Sequence, residues 1–226
     1  MTGPAAPGRR YDLVLFDFDG TLADTYPWFA SVLNDVADRY RFRRVTPHEA
    51  DALRGSGARA IVRHLGIPAW KLPLITRHMH ALAARDAGGM ALFPGVPAML
   101  ATLDAAGFRL GIVSSNREAH IRAVLGPREA DRIRHYACSA TLFGKARRLR
   151  TAMRAAGAHP SRTLYIGDEI RDHDAARAAA CDFGAVAWGY TRAEALALQA
   201  PALTFARPAE IGDRLVRAPL PRAVAQ

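Results

Sequence analysis

The chain has 226 residues, half of them hydrophobic, with 31 Lys and Arg against 21 Asp and Glu for a formal net charge of +10. That is enough apolar material for one main core plus a small second unit, since a chain of this size buries roughly 70% of its unfolded surface. No apolar run approaches the roughly 20 residues of a bilayer span, residues 1–10 lack the apolar stretch of a secretory signal, and the arginines are scattered without aromatic interleaving, so the expectation is a cytoplasmic protein with neither membrane nor nucleic acid as partner.

The first predicted element is a strand over 11–16, Tyr-Asp-Leu-Val-Leu-Phe, followed by Asp17-Phe18-Asp19-Gly20-Thr21. Alternation along an extended backbone sends Asp17 and Asp19 to the same side, and Gly20 lets the chain leave in a tight turn. Like charges this close require a shared proton or a cation.

Between 25 and 92 the pattern becomes helical, with apolar positions such as Val32, Val36, Ile61, Val62, Leu65, Leu74, Ile75, Met79 and Leu82 at helical spacing and no strand signal. This predicts a helical unit inserted into the core, Leu92-Phe93-Pro94-Gly95 marking the return. Within the insertion, Arg54-Gly55-Ser56-Gly57 breaks the helices, and a turn carrying a cation is a candidate substrate-reading loop. Trp28 and Phe29 are assigned to the insertion's own packing.

Further strands are predicted at 109–113, 163–166 and 183–188, with another near 135–140, alternating with helices near 96–106, 117–125, 144–156 and 170–180. This is the pattern of a parallel sheet covered by helices. The strand at 109–113 ends in Ser114-Ser115-Asn116, and Phe143-Gly144-Lys145 opens a basic helix. Only two of the 31 cations are lysines, Lys71 and Lys145. A lysine kept at 145 in a chain that otherwise writes positive charge as arginine suggests a need for a compact ammonium.

The strand at 163–166 leads into Gly167-Asp168, and Asp172 follows one helical turn later on the same face. Acids at strand ends gather at the carboxyl edge of the sheet, where open α/β sheets hold their ligands. A carboxylate cluster without His or Cys suits a hard cation such as Mg2+. None of the eight histidines shows zinc spacing, and His78 and His80, two apart on a predicted helix, face different ways. Cys138 and Cys181 read as reduced structural thiols, His173 as a surface residue, and Trp188-Gly189-Tyr190 as the packing of a loop.

Taken together, Asp-x-Asp-Gly-Thr at 17–21, the strand ending in Ser114, Lys145, and Gly-Asp-x-x-x-Asp at 167–172 resemble the haloacid dehalogenase-like hydrolases, specifically the phosphoglycolate phosphatase-like branch, over roughly residues 11–216. The resemblance implies a Rossmann-like core of 1–24 and 93–226 and a mobile helical cap of 25–92. It implies a Mg2+-dependent phosphatase acting on a small phosphorylated metabolite, with Asp17 as nucleophile and Asp19 as general acid and base. Ser114 and Lys145 would hold the phosphoryl group, with Asn116 and the cap's Arg54 also placed at the substrate. The metal ligands would be Asp17, Asp168, the Asp19 carbonyl and, directly or through water, Asp172. The alternatives are a phosphomutase sharing the aspartyl-phosphate step, or a non-catalytic binding or regulatory protein. A monomer or a homodimer is expected.

Overall fold

The computed structural model describes residues 9–138 and 144–217. Strand β1, Leu13–Phe16, has no solvent exposure at any of its four residues. Val14 and Phe16 pack into one apolar cluster and Leu13 and Leu15 into another, so the strand lies at the centre of a sheet covered on both faces. That double burial is why the run reads as continuously apolar rather than alternating.

The sheet is six-stranded and parallel throughout, in the order β3-β2-β1-β4-β5-β6, with β2 at Arg109–Ser114, β3 at His135–Cys138, β4 at Thr163–Gly167, β5 at Asp182–Val186 and β6 at Leu203–Phe205. All of the predicted strands are present; residues 139–140 of the predicted strand near 135–140, and Phe143, lie outside the described residues. The sixth strand, β6, is too short to announce itself in the sequence.

Seen in chain order, the sheet changes direction at β1, which lies between β2 and β4. Such a switch point opens a crevice at the carboxyl ends of the strands. The ladder runs on past β1, with the Asp17 amide donating to the Ile166 carbonyl at 2.8 Å, so Asp17 emerges directly beside the end of β4.

The intervening segment holds four helices and no named strand: α1 at Tyr26–Tyr40, α2 at Pro47–Leu53, α3 at Ala58–His64 and α4 at Leu72–Arg85. Thr46 begins α2 in a reciprocal cap, its hydroxyl accepting from the Glu49 amide at 3.2 Å while Glu49 accepts from the Thr46 amide at 3.0 Å. The Arg54–Gly57 turn joins α2 to α3, as its composition predicts. The chain leaves and re-enters the core side by side: Ala23 and Leu92 form an antiparallel bridge, and the Phe93 amide donates to the Leu22 carbonyl at 2.9 Å.

One face of the sheet is covered by α5 at Val96–Ala105, α6 at Glu118–Ala130 and α10 at Pro208–Arg217, and the other by α7 at Lys145–Ala155, α8 at Ile170–Ala179 and α9 at Ala193–Ala197. Helix α6 is interrupted at Gly126, whose φ of 76° breaks the helix immediately before Pro127. Among the described residues, no helix is long and apolar enough to cross a membrane.

Candidate active site

Three buried carboxylates, from Asp17, Asp168 and Asp172, offer one oxygen each within 4.8 Å of one another at the carboxyl edge of the sheet. Asp17 follows β1, Asp168 follows β4, and Asp172 lies on the first turn of α8. The sheet topology, rather than any local motif, brings 17 and 168 together.

Lys145, at the start of α7, reaches into this cluster. Its Nζ lies 2.6 Å from Asp17 Oδ2 and 2.5 Å from Asp172 Oδ1, and all three groups are buried. Burial alone would lower the ammonium's pKa, but the Asp17 and Asp172 charges outweigh it and hold Lys145 protonated.

The three acids respond differently to the same burial. Asp17 is pushed up to about 7 by desolvation, against the pull of Lys145. Asp168 is raised well above the carboxylate range by desolvation, with Glu169 and the neighbouring acids adding to it. Desolvation also acts on Asp172, yet Lys145 and Arg171 outweigh it and hold its carboxyl below the usual range. Asp172 is therefore the fixed anion of the site, and Asp17 and Asp168 are the groups in want of a further cation.

Asp168 is held from two sides. The Thr21 hydroxyl donates to its Oδ1 at 2.7 Å and the Tyr190 amide to its Oδ2 at 2.7 Å. The backbone packs so closely that a Cβ on Gly189 would fall 2.1 Å from Asp168 Cβ, and one on Gly20, whose φ is +75°, would fall 2.3 Å from Asp168 Oδ2. The sequence predicts loop packing at 188–190. The structure makes this loop the wall that aims Asp168, with Trp188 Nε1 also donating to the Thr21 carbonyl at 3.1 Å.

The oxygens of Asp172 are already engaged, Oδ1 by Lys145 and by the Tyr165 hydroxyl at 3.2 Å, and Oδ2 by the Glu169 amide at 3.0 Å. It positions Lys145 as much as it lines the acid cluster. The all-oxygen donor set, and the two carboxyls left without a matching cation, fit a hard divalent ion of the Mg2+ kind.

Asp19 stands outside this trio. The strand ends at Phe16, and the Phe18 carbonyl accepts from the amides of Thr21, Leu22 and Ala23, so Asp19 sits in a turn where strand alternation no longer applies. Its carboxylate accepts from Asn116 Nδ2 at 3.4 Å, across the mouth of the site. The expectation that alternation makes Asp17 and Asp19 converge is corrected here: the partners of Asp17 are Asp168, Asp172 and Lys145.

Ser114, at the end of β2, is fully buried, and its Oγ accepts from the Asn116 amide at 3.0 Å, which leaves the hydroxyl proton to be donated elsewhere. Asn116, expected at the substrate, follows two residues after Ser114. Its side chain accepts from the Arg117 amide at 2.9 Å and donates to Asp19 at 3.4 Å, which places it beside that acid.

Arg54 also differs from expectation. Its Nε donates to the Tyr190 carbonyl at 2.9 Å and its Nη2 to the Gly189 carbonyl at 3.0 Å, with the guanidinium stacked over Tyr26. The group expected to read substrate is spent on the wall behind Asp168. The Arg192 amide donates to the Arg54 carbonyl at 2.9 Å and its side chain pairs with Asp51, which completes a clamp between helical insertion and core.

The two cysteines carry no bridge and burial pushes both thiols up to about 12, in keeping with inert thiols. His173 is not a surface residue; its ring packs edge-on against Phe183 at 5.6 Å.

Residues 14–186 match the model of the family described as haloacid dehalogenase-like hydrolase. Phosphoglycolate phosphatase of Synechococcus elongatus is 29% identical over 199 residues, covering 88% of this chain and 94% of its own length. Phosphoglycolate phosphatase of Agrobacterium fabrum is 32% identical over 192 residues, covering 79% of this chain and 82% of its own. A solved protein of Lactobacillus plantarum, whose name carries a provisional phosphoglycolate phosphatase assignment, superposes with a TM-score of 0.78 at 27% identity, over 90% of this chain and 98% of that one. With the matched family covering most of the chain and relatives of this branch aligned over most of it, the chain belongs to the haloacid dehalogenase-like hydrolases, as a phosphoric monoester hydrolase of the phosphoglycolate phosphatase-like branch.

Proposed function

We propose that the chain is a Mg2+-dependent phosphatase that hydrolyses a small phosphorylated metabolite through an aspartyl-phosphate on Asp17. The observation that carries this reading is Lys145 held between Asp17 and Asp172 in a buried site beside a further carboxylate, Asp168.

A phosphoryl group carrying two negative charges has to enter a site that already holds several acids. The Lys145 ammonium, the Ser114 hydroxyl and the amides at the start of α6 supply donors to its oxygens. A divalent ion held by Asp17, Asp168 and the Asp19 carbonyl, with Asp172 beside it, would neutralise charge on phosphate and nucleophile together. With its charge so offset, Asp17 is ionised and its carboxylate oxygen attacks phosphorus in line, breaking the bond to the alcohol oxygen. Asp19 gives its proton to the departing alkoxide. It then takes a proton from the water that attacks the aspartyl-phosphate, and inorganic phosphate leaves with Asp17 restored.

The helical segment 25–92 acts as the cap, meeting the core through its two paired connections and through the Arg54 clamp. Closure excludes water from the first step and presents cap side chains to the leaving group. The relatives named for phosphoglycolate make it the first substrate to test.

The experiment is phosphate release from phosphoglycolate and a panel of sugar and nucleotide phosphates by wild-type and Asp17→Asn protein, each with Mg2+ and with chelator. Turnover that needs both Asp17 and Mg2+ supports the reading. Isomerisation of a sugar phosphate without release points to the mutase, and no reaction with folded, metal-binding protein points to a binding role.

A further inference from the structure

We propose that the outer end of the helical insertion docks on an anionic lipid surface, Trp70 entering the headgroup layer and a rim of lysine and arginine meeting the lipid phosphates. The inference stands apart from the phosphatase reading, since none of these residues lies at the acid cluster.

The insertion has an inner and an outer end. Helices α1 and α4 run antiparallel. Trp28 Nε1, near the start of α1, donates to Asp86 Oδ2, just past the end of α4, at 3.0 Å, and the Tyr40 hydroxyl, at the end of α1, donates to the Leu74 carbonyl, in the first turn of α4, at 3.4 Å. Ala23 and Leu92 bridge at the inner end, where the insertion joins the core. The turn at 68–74 is therefore carried about 20 Å outward, the rise of a 15-residue helix.

Pro68, Ala69 and Trp70 are exposed in a row on this turn, and Pro73 and Leu74 follow. Trp70 is 68% exposed and Leu74 37%, whereas Trp28 and Trp188 are partly buried and hydrogen-bonded. Single exposed apolar side chains are ordinary, but five clustered on one protruding turn mark a contact surface. Cations surround it. Lys71 Nζ lies 5.4 Å from the Trp70 ring centroid and donates to the Tyr40 carbonyl at 2.7 Å. Arg39 and Arg41 flank Tyr40, and Arg77 follows Leu74 by three residues on the same face of α4. These three arginines are exposed and pair with no acid among the described residues, while Asp38, the acid in the last turn of α1, is taken by Arg44.

Charge and shape select the occupant. A second copy of this face would set like charges against like. A nucleic acid strand calls for several exposed rings to stack on, and Trp70 has no exposed aromatic neighbour, Tyr40 being packed against His78 at 5.5 Å. A protein partner has to offer a cavity for a protruding indole, whereas a headgroup layer takes the ring without any match of shape. Phosphates of anionic lipids then supply the negative charge that Lys71 and the three arginines lack, while the apolar stems of those side chains lie along the interface. The expectation of no membrane partner rests on the absence of a spanning or signal segment, and docking at the surface needs neither.

The test is co-sedimentation of the full chain with vesicles of phosphatidylcholine alone and of phosphatidylcholine mixed equally with phosphatidylglycerol, with tryptophan emission followed in parallel. Wild-type protein is expected to bind the mixed vesicles at least about tenfold more tightly than the neutral ones, with a blue shift in emission, and to lose that preference as salt is raised to about 0.5 M. Trp70→Ala is expected to weaken binding about tenfold and to abolish the blue shift with Tm unchanged, and Arg39→Glu with Arg41→Glu to weaken it by a similar factor. Failure to bind the mixed vesicles overturns the proposal, and so does binding that Trp70→Ala leaves untouched, which the chain's net charge of +10 would explain. Two further outcomes overturn it by naming another occupant. A doubled mass in light scattering that Trp70→Ala abolishes assigns the face to a second copy, and binding of polyglutamate that is tighter than that of the vesicles and depends on Trp70 assigns it to an acidic protein segment.

Discussion

Lys145 donates to Asp172 Oδ1 at 2.5 Å, and the same ammonium lies 2.6 Å from Asp17. Asp172 is thus the anchor that holds the cation against the nucleophile, itself fixed by Tyr165 and the Glu169 amide. Asp172→Asn removes the charge and leaves the shape. Phosphate release by this variant is expected to fall by about 10- to 100-fold in kcat, with a far smaller change in KM, because the phosphoryl donors stay and only their aim is lost.

Arginine should not replace Lys145. A planar guanidinium cannot place one compact charge between two carboxylates held on different elements, in a space almost closed to solvent. Lys145→Arg and Lys145→Ala are both expected to lose at least about 100-fold in kcat/KM. Recovery of most of the activity in the arginine variant would show that charge alone suffices.

Burial raises Asp17 to about 7, and the sign of its contribution follows. The fold favours the protonated acid, so the stability this group contributes is fully present below its unfolded value of 3.8 and is lost as pH rises through about 7. Asp168 is raised by the same cause and acts in the same direction. Metal-free protein should therefore lose stability between about pH 4 and pH 7, by up to ~4 kcal/mol from Asp17 on a scale of about 1.4 kcal/mol per pKa unit, seen as a falling Tm. Asp17→Asn removes that share of the slope in calorimetry. Mg2+ should raise Tm more at pH 8 than at pH 5, because only the ionised carboxylates bind it.

The parts of this site legible in the sequence were those written as side chains at the ends of apolar strands. Asp17 and Asp168 end two runs that topology sets side by side, and Lys145 stood out because the chain so rarely uses lysine. The position of Asp19 could not be read from strand alternation, because Asp19 lies three residues beyond the end of β1, in a turn. The support of Asp168 could not be seen at all. It comes from the Tyr190 amide and the missing Cβ atoms of Gly20 and Gly189, which carry no chemical signature until the backbones are seen to touch. Arg54 stands out in the sequence as a cation in a glycine-rich turn, but its bonds to the Gly189 and Tyr190 carbonyls cannot be read there, since those carbonyls lie 135 and 136 residues away.

Those glycines make a direct prediction. A methyl group at 189 would overlap Asp168 Cβ at 2.1 Å, so either the wall or the acid must move. Gly189→Ala is expected to cost about 1–3 kcal/mol of stability and to weaken the thermal response to Mg2+, as followed by Tm with and without metal. A wild-type response in this variant would show that the wall does not aim Asp168. Gly20→Ala adds a strained positive φ to a clash with the Asp168 carboxylate, and should be the more damaging of the two.

Arg54 couples the cap to the same wall. Its two bonds to the 189 and 190 carbonyls, together with the Arg192–Asp51 pair, tie the α2–α3 turn to the loop that holds Asp168. Removing the guanidinium frees both ends, since the turn loses its attachment to the core and the loop loses two donors. Arg54→Ala should therefore speed hydrogen exchange at residues 51–57 and at 189–192 together, while the central strands β1 and β4 exchange as before. Because Asp168 keeps its bond to the Tyr190 amide, the expected loss in Mg2+ affinity is modest, about 10-fold or less. Faster exchange in the cap turn alone would show that the clamp steadies the cap and leaves the wall unaffected. Faster exchange in both, with weaker metal binding, would make Arg54 a link through which cap position is felt at the metal ligands.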